Sequence, residues 1–247
     1  MLPRDFVEEA IRIASEAEKK NIILRIMGAV AIRIKCTDYI SLYNELKRGL
    51  TDIDFAGYSK QGHKISALLK ELGYELRKDM LIHEGRYFFY YPSSGLKVDI
   101  FLDKLSMSHT INFRNRLELD FPTITLADLV LEKLQIVKIN EKDLKDLVVL
   151  FRSYDVGDNE KAINGRYIAK LLADDWGFYY TATTNLERLK SFLKRTNIPE
   201  KDKEDVSKKI EKLSEMIETE PKTLKWRLRS KIGPRMKWYT EVEEAER

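Results

Sequence analysis

Three aspartates have the type and spacing to hold a divalent cation. Asp52 and Asp54 stand two apart in residues 50–55, a segment that otherwise alternates apolar side chains. Strands disfavour Asp, and a period of two sends both carboxylates to one face while Ile53 and Phe55 turn to the core. Carboxylates side by side repel, and a cation that prefers hard oxygen ligands, magnesium or manganese, relieves the repulsion. Asp99, between Val98 and Ile100, is the third candidate if its strand neighbours the first, and Asp103 on the same face is a reserve. Gly28 closes an earlier strand and opens a helix, where bare N–H groups and the helix dipole can hold a phosphate. Each feature also has a plainer explanation: an Asp-X-Asp lining the solvent face of an antiparallel strand, and a glycine that only makes a turn.

The elements that must position these residues follow from periodicity. Residues 4–20 carry apolar side chains at helical spacing, residues 22–26 read as a strand, and residues 29–47 read as a helix. Residues 50–55 form the strand of the aspartate pair, and a helix over 60–72 ends at Gly73. The aromatic run 87–91, the turn 92–95 and the apolar run 98–102 predict a hairpin, with one or two short strands before Pro122. Thr125 followed by Asp128 resembles a helix start, and helices are expected near 126–137, 141–152, 160–174, 184–196, 201–218 and 222–231. Strands first and helices later indicate an α+β fold, with an α+β domain over residues 1–122 and a helical domain over 123–247.

Composition narrows the class. The chain has 247 residues, 44 basic against 40 acidic side chains and 43% hydrophobic residues, enough to bury a core. No stretch approaches a membrane span, and the first residues lack the apolar centre of a secretion signal, so a cytoplasmic location is expected. The single cysteine, Cys36, excludes a cysteine-based zinc cage and an intrachain disulfide. His63, His83 and His109 lack metal-ligand spacing, and no P-loop or Ser-His-Asp elbow occurs. Heavy Lys and Glu usage with only Gln61 and Gln135 points to a heat-adapted, thermophile source.

Gly28-Ala29-Val30-Ala31, Arg48-Gly49-Leu50-Thr51-Asp52-Ile53-Asp54 and Val98-Asp99-Ile100 together resemble the signature of the polymerase-beta-like nucleotidyltransferase superfamily. The chain is most similar there to the AbiEii toxin-like and aminoglycoside-adenylyltransferase-like branches, in which an Arg stands four residues before the first Asp, as Arg48 does. Lys133, Lys138, Lys142-Asp143 and Asp146 match the later helical pattern of the AbiEii-like branch, and the resemblance covers roughly residues 20–152. It implies a mixed sheet flanked by helices, followed by a helical C-terminal region. It further implies a metal-dependent transfer of a nucleoside monophosphate from a nucleoside triphosphate to an acceptor hydroxyl. Asp52, Asp54 and Asp99 would hold two magnesium ions, about 3.5–4 Å apart as in two-metal sites generally, and Asp99 would take the acceptor's proton. Gly28, Ala29, Arg48, Thr51, Lys133 and Lys142 would contact the nucleotide, with Asp143 and Asp146 in support. The role of toxin in a toxin–antitoxin pair, with a cognate antitoxin as partner, is part of the same implication. Ala29 departs from the pattern, which has Gly or Ser there, and offers a phosphate only its backbone N–H. Without the pattern, Lys133, Lys142 and Asp146 read as a solvated helix face with ordinary ion pairs.

Residues 221–240 hold seven basic side chains and no acidic one, interleaved with Trp226, Trp238 and Tyr239. That fits phosphate-backbone contact by an RNA or DNA acceptor, and equally a solvated basic helix. The cluster at 174–180 reads as helix packing or as a base-stacking surface. Three readings stay open: a nucleotidyltransferase, a nucleotide-binding relative without chemistry, and a nucleic-acid-binding protein with structural carboxylates.

Overall fold

The structure, a computed structural model, describes residues 5–77 and 85–241; His83 lies outside the described residues. In chain order the elements are α1 (Phe6–Lys19), β1 (Leu24–Met27), α2 (Gly28–Lys35), α3 (Ile40–Glu45), β2 (Ile53–Gly57), α4 (Gly62–Glu71), β3 (Glu75–Leu76), β4 (Arg86–Tyr90), β5 (Lys97–Leu102), β6 (Lys104–Ser106) and β7 (Thr110–Asn112). There follow α5 (Leu126–Leu134), α6 (Glu141–Ser153), β8 (Val156–Gly157), β9 (Ile163–Asn164), α7 (Gly165–Asp174), α8 (Trp176–Arg195), α9 (Glu200–Thr219) and α10 (Leu224–Ile232). The chain divides into two compact units. One holds the chain up to Thr37 with Gly49–Ser106 and Ile111–Thr125; the other holds Asp38–Arg48, Met107–Thr110 and the chain from Leu126.

The first unit is built on a mixed five-stranded sheet of order β1-β2-β5-β4-β3. Only β2 and β5 run parallel; the other neighbours are antiparallel. Leu24, Ile26, Ile53, Phe55, Val98, Ile100 and Phe89 are fully or almost fully buried. They share one face by period-two alternation, and α1 packs on β1 and beside α2 and α4. The opposite face carries Arg25, Met27, Asp54, Asp99, Arg86 and Phe88. Part of that face is covered by the chain before Thr125: Arg25 donates to the carbonyls of Leu117 and Asp120, each at 2.8 Å.

In the second unit α5 is buried along its entire length, with Asp128, Glu132 and Lys133 among its buried residues. It packs against α6, α7 and α8, while α9 lies against α6, α7 and α8. No helix among the described residues is long and apolar enough to cross a membrane.

Four expectations are corrected. β2 starts at Ile53, where pairing with Val98 begins, so Asp52 precedes the strand instead of lying on it. The helix expected over 29–47 is broken: α2 ends at Lys35, a 3-10 turn covers Thr37–Tyr39, and α3 follows. Thr37 and Asp38 are poor helix-interior residues that compete for backbone bonds. The helix expected from 160 begins only at Gly165, because residues 156–157 and 163–164 form a short parallel ladder and the Asn164 side chain caps α7 by accepting from the Tyr167 N–H. α8 begins eight residues earlier than its apolar spacing announced, at Trp176, with Asp175 accepting from the Phe178 N–H. Gly177 sits in that first turn because a β-carbon there would lie 2.6 Å from the Trp238 carbonyl oxygen.

Candidate functional site

Strand pairing brings two of the three aspartates together. Asp54 on β2 is the register partner of Asp99 on β5, and Met27 on β1 is the register partner of Asp54 on its other side. Paired residues of adjacent strands point to the same face, so the two carboxylates are neighbours. Both are half-buried. Gly28 follows Met27 directly, with φ +69°. A β-carbon on it would stand 2.6 Å from Asp54 Oδ2. The glycine is therefore required twice, by a left-handed backbone and by the carboxylate against which it lies. Asp52 lies just ahead of the strand, half-buried, with the Thr51 hydroxyl donating to its Oδ1 at 3.0 Å. Asp103 is turned away to bond the Ser59 N–H at 3.0 Å.

Arg86 was not foreseen, and it touches the site. Its Nη2 donates to Asp99 Oδ2 at 2.5 Å, with side-chain exposures of 22% for the arginine and 15% for the aspartate. Its guanidinium carbon lies 4.4 Å from the Phe88 ring centre and 4.3 Å from that of Phe101, a cation between two aromatic faces. Period-two spacing puts Arg86 and Phe88 on one face of the hairpin, a signal present in the sequence; the partner on the next strand was not, because the register had to be known first.

Among the described residues no three His, Cys, Asp or Glu side chains are gathered as a ready cage for a metal ion. The donor set nonetheless has the right chemistry. Asp54 and Asp99 offer hard carboxylate oxygens at paired positions with Asp52 two residues away, the ligand type that magnesium and manganese select. Gly28 is buried and Ala29 half-buried at the start of α2, and the N-cap residue Met27 makes no side-chain cap hydrogen bond there.

The other sequence candidates meet in the second unit. Arg48 grips Asp146 with two bonds, Nε to Oδ1 at 2.9 Å and Nη2 to Oδ2 at 3.0 Å. Lys133 Nζ lies 3.2 Å from Glu132, 3.2 Å from Asp143 and 3.3 Å from Asp146. The Asp146 side chain is 0% exposed. Burial works to discharge Lys133, yet Glu132, Asp146 and Asp143 outweigh it and hold the ammonium pKa well above its ordinary value. Burial likewise opposes the Arg48 charge and is overcome by Asp146. Lys142 is exposed, while its backbone N–H and that of Asp143 are capped by the Asn140 side chain. The solvated-face reading of Lys133 and Asp146 is thereby overturned; that of Lys142 fits its exposure.

The aromatic cluster is packing. Trp176 stacks on Tyr180 at 5.2 Å, Trp226 meets Tyr179 edge-on at 5.0 Å, and Trp238 meets Tyr180 at 5.1 Å. His109 stacks on Phe178 at 4.9 Å and bonds the Thr181 hydroxyl at 2.8 Å.

No curated protein sequence matches the chain. Among solved structures, that of the antibiotic-resistance factor ANT(2'')-Ia is similar with 12% identity and a TM-score of 0.41, over 68% of this chain and 92% of that one. The model of the family "Nucleotidyl transferase AbiEii toxin, Type IV TA system" matches residues 41–234. The match runs further into the helical half than the residues 20–152 expected from motifs. It takes in Arg48, Asp52, Asp54, Asp99, Lys133, Asp143 and Asp146, and leaves Gly28 and Ala29 outside. Spanning well over half of the 247 residues, it shows that the chain belongs to the AbiEii family of toxin nucleotidyltransferases.

Proposed function

We propose that the chain moves a nucleoside monophosphate from a nucleoside triphosphate to an acceptor hydroxyl, releasing pyrophosphate, at Asp52, Asp54 and Asp99 beneath Gly28. The observation that carries this reading is the register of Asp54 with Asp99, joined to a glycine that admits no side chain against Asp54. The backbone N–H groups of Gly28 and Ala29, at the positive end of α2, hold a phosphate. Thr51, exposed beside Asp52, supplies a second phosphate contact in this reading. Asp99 orients the acceptor and takes its proton, and Arg86 keeps that carboxylate in place. Magnesium or manganese, held by the carboxylates when bound, supplies neutralisation of the triphosphate and acidifies the attacking hydroxyl. Arg48 and Lys133, whose donors are committed to Asp146, Asp143 and Glu132, order the second unit and are assigned no phosphate. Their role is then positional. A cognate antitoxin is the partner that the family's toxin–antitoxin character implies.

A second reading, nucleotide binding without transfer, is favoured by Ala29, which brings no hydroxyl to the turn. The test is calorimetry of each nucleoside triphosphate with and without magnesium, on the wild type and on Asp52→Asn with Asp54→Asn, followed by a pyrophosphate assay. Metal-dependent binding abolished by the double substitution is expected, with pyrophosphate released once an acceptor is present. Binding with no pyrophosphate for any acceptor would leave the second reading, and a folded wild type that binds no triphosphate would end both.

A further inference from the structure

The second unit carries an apolar stripe that stays exposed among the described residues. α10 starts after Thr223, whose hydroxyl accepts from the Trp226 N–H, and it ends at Gly233 with φ +63°. Its inner side is anchored. Trp226 packs edge-on against Tyr179, and Arg229 lies 4.5 Å over the Trp176 ring while donating to the Gly233 and Met236 carbonyls, each at 2.7 Å. The outer side holds Leu224, Leu228 and Ile232, 66%, 55% and 45% exposed, and Met236 just past the turn is 51% exposed. A spacing of four puts the first three on one face of the helix. Half of the exposed large hydrophobic side chains among the described residues thus fall within thirteen consecutive positions, which is a patch rather than the usual scatter. Lys225, Arg227, Lys231 and Arg235 flank it, all exposed, and no acidic residue occurs from 221 to 240.

We infer that this face docks an acidic protein partner, one presenting apolar side chains at helical spacing rimmed by Asp or Glu. The charge pattern selects that occupant. A second copy of the chain would set its cations against these same cations, a like-charge contact that opposes pairing through this face. A nucleic acid would satisfy the cations yet leave three aliphatic side chains with no apolar surface to meet. A membrane surface is poorly matched, because nine helical residues make a stripe only about 13 Å long and the tryptophan that would anchor it at the interface is turned inward. An amphipathic helix of opposite charge meets all three features: the Leu and Ile anchors, the basic rim and the short length.

This inference is independent of the reading of Asp52, Asp54 and Asp99. Its test uses the full chain and two fluorescent synthetic peptides of identical composition, Leu and Glu only. One has Leu at helical spacing on one face and the other is shuffled. Anisotropy is expected to give at least about tenfold tighter binding of the patterned peptide, weakening as salt rises. Leu228→Glu with Ile232→Glu alters exposed side chains only, and is expected to erase that preference with an unchanged circular dichroism spectrum. Lys225→Glu with Arg227→Glu is expected to weaken it separately. Equal binding of the shuffled peptide, or no binding of either, overturns the inference. So does stronger association with phosphatidylserine vesicles or polyuridylate than with the patterned peptide, or a dimer in sedimentation that Leu228→Glu abolishes.

Discussion

Gly28 and Asp54 are in such close approach that a β-carbon on the glycine would stand 2.6 Å from Asp54 Oδ2. Gly28→Ala must therefore move the carboxylate or the start of α2, and must also hold an alanine at φ +69°. A cost of about 1–3 kcal/mol is expected in urea unfolding. On the proposed function, triphosphate binding is expected to fall further than stability, since the displaced carboxylate is one of the proposed metal ligands. An alanine variant with wild-type stability and affinity would show that the approach is not a constraint.

Arg86 and any cation held by Asp99 compete for one carboxylate. Arg86→Met removes the positive charge and keeps a side chain able to fill the space between Phe88 and Phe101. Manganese binding followed by electron paramagnetic resonance is expected to tighten severalfold, because the field at Asp54 and Asp99 becomes more negative. Unchanged or weaker manganese binding would mean that Arg86 serves the carboxylates in some way other than as a resident counter-charge.

Arg48 and Asp146 form a buried two-bond pair, with side-chain exposures of 7% and 0%. Removing one partner strands the other. Asp146→Ala is expected to cost about 3–5 kcal/mol, and Arg48→Met combined with Asp146→Leu much less than the sum of the two single losses. A double-mutant cycle in urea measures the difference, and additive losses would refute the coupling.

His109 gives a pH signature. Burial lowers its pKa to about 4 from 6.5, with Asp175 opposing the shift weakly. The unfolded chain therefore takes up this proton first, and the fold is weakened progressively as pH drops from 6.5 towards 4. The full effect is roughly 3 kcal/mol, with nothing lost above about pH 7. His109→Gln, which keeps a polar group near Thr181 without titrating, is expected to flatten that slope between pH 7 and pH 4.5. An equal slope in the variant would assign the acid sensitivity to other groups.

How much of this was legible in the sequence depended on the range of the interaction. Asp54 and Asp99 stood out because an aspartate in an apolar alternation is anomalous within five residues of chain. The hairpin of β4 and β5 was legible for the same reason, being local. Strand limits were not: Asp52 fell off β2 because the ladder begins where Val98 allows it, a fact held by a segment more than forty residues away. Arg48, Lys133, Asp143 and Asp146 stood out only through the family resemblance, and their burial was invisible. A helix bearing Lys and Asp looks solvated until the helices packed around it are known, and α5 is enclosed on every side. Arg86 was missed because its meaning comes from its cross-strand neighbour rather than from its own segment.

The single parallel pairing in the sheet bears on how Asp54 and Asp99 come together. Hairpins such as β4–β5 close short loops and form early, whereas β2 meets β5 only after the intervening helix and two strands have been laid down. During synthesis Asp54 is made 45 residues before the Asp99 that will stand beside it. A truncated or stalled chain ending ahead of β5 carries half of the carboxylate pair. The carboxylate pair is thereby a property of the closed sheet and of no single segment of the chain.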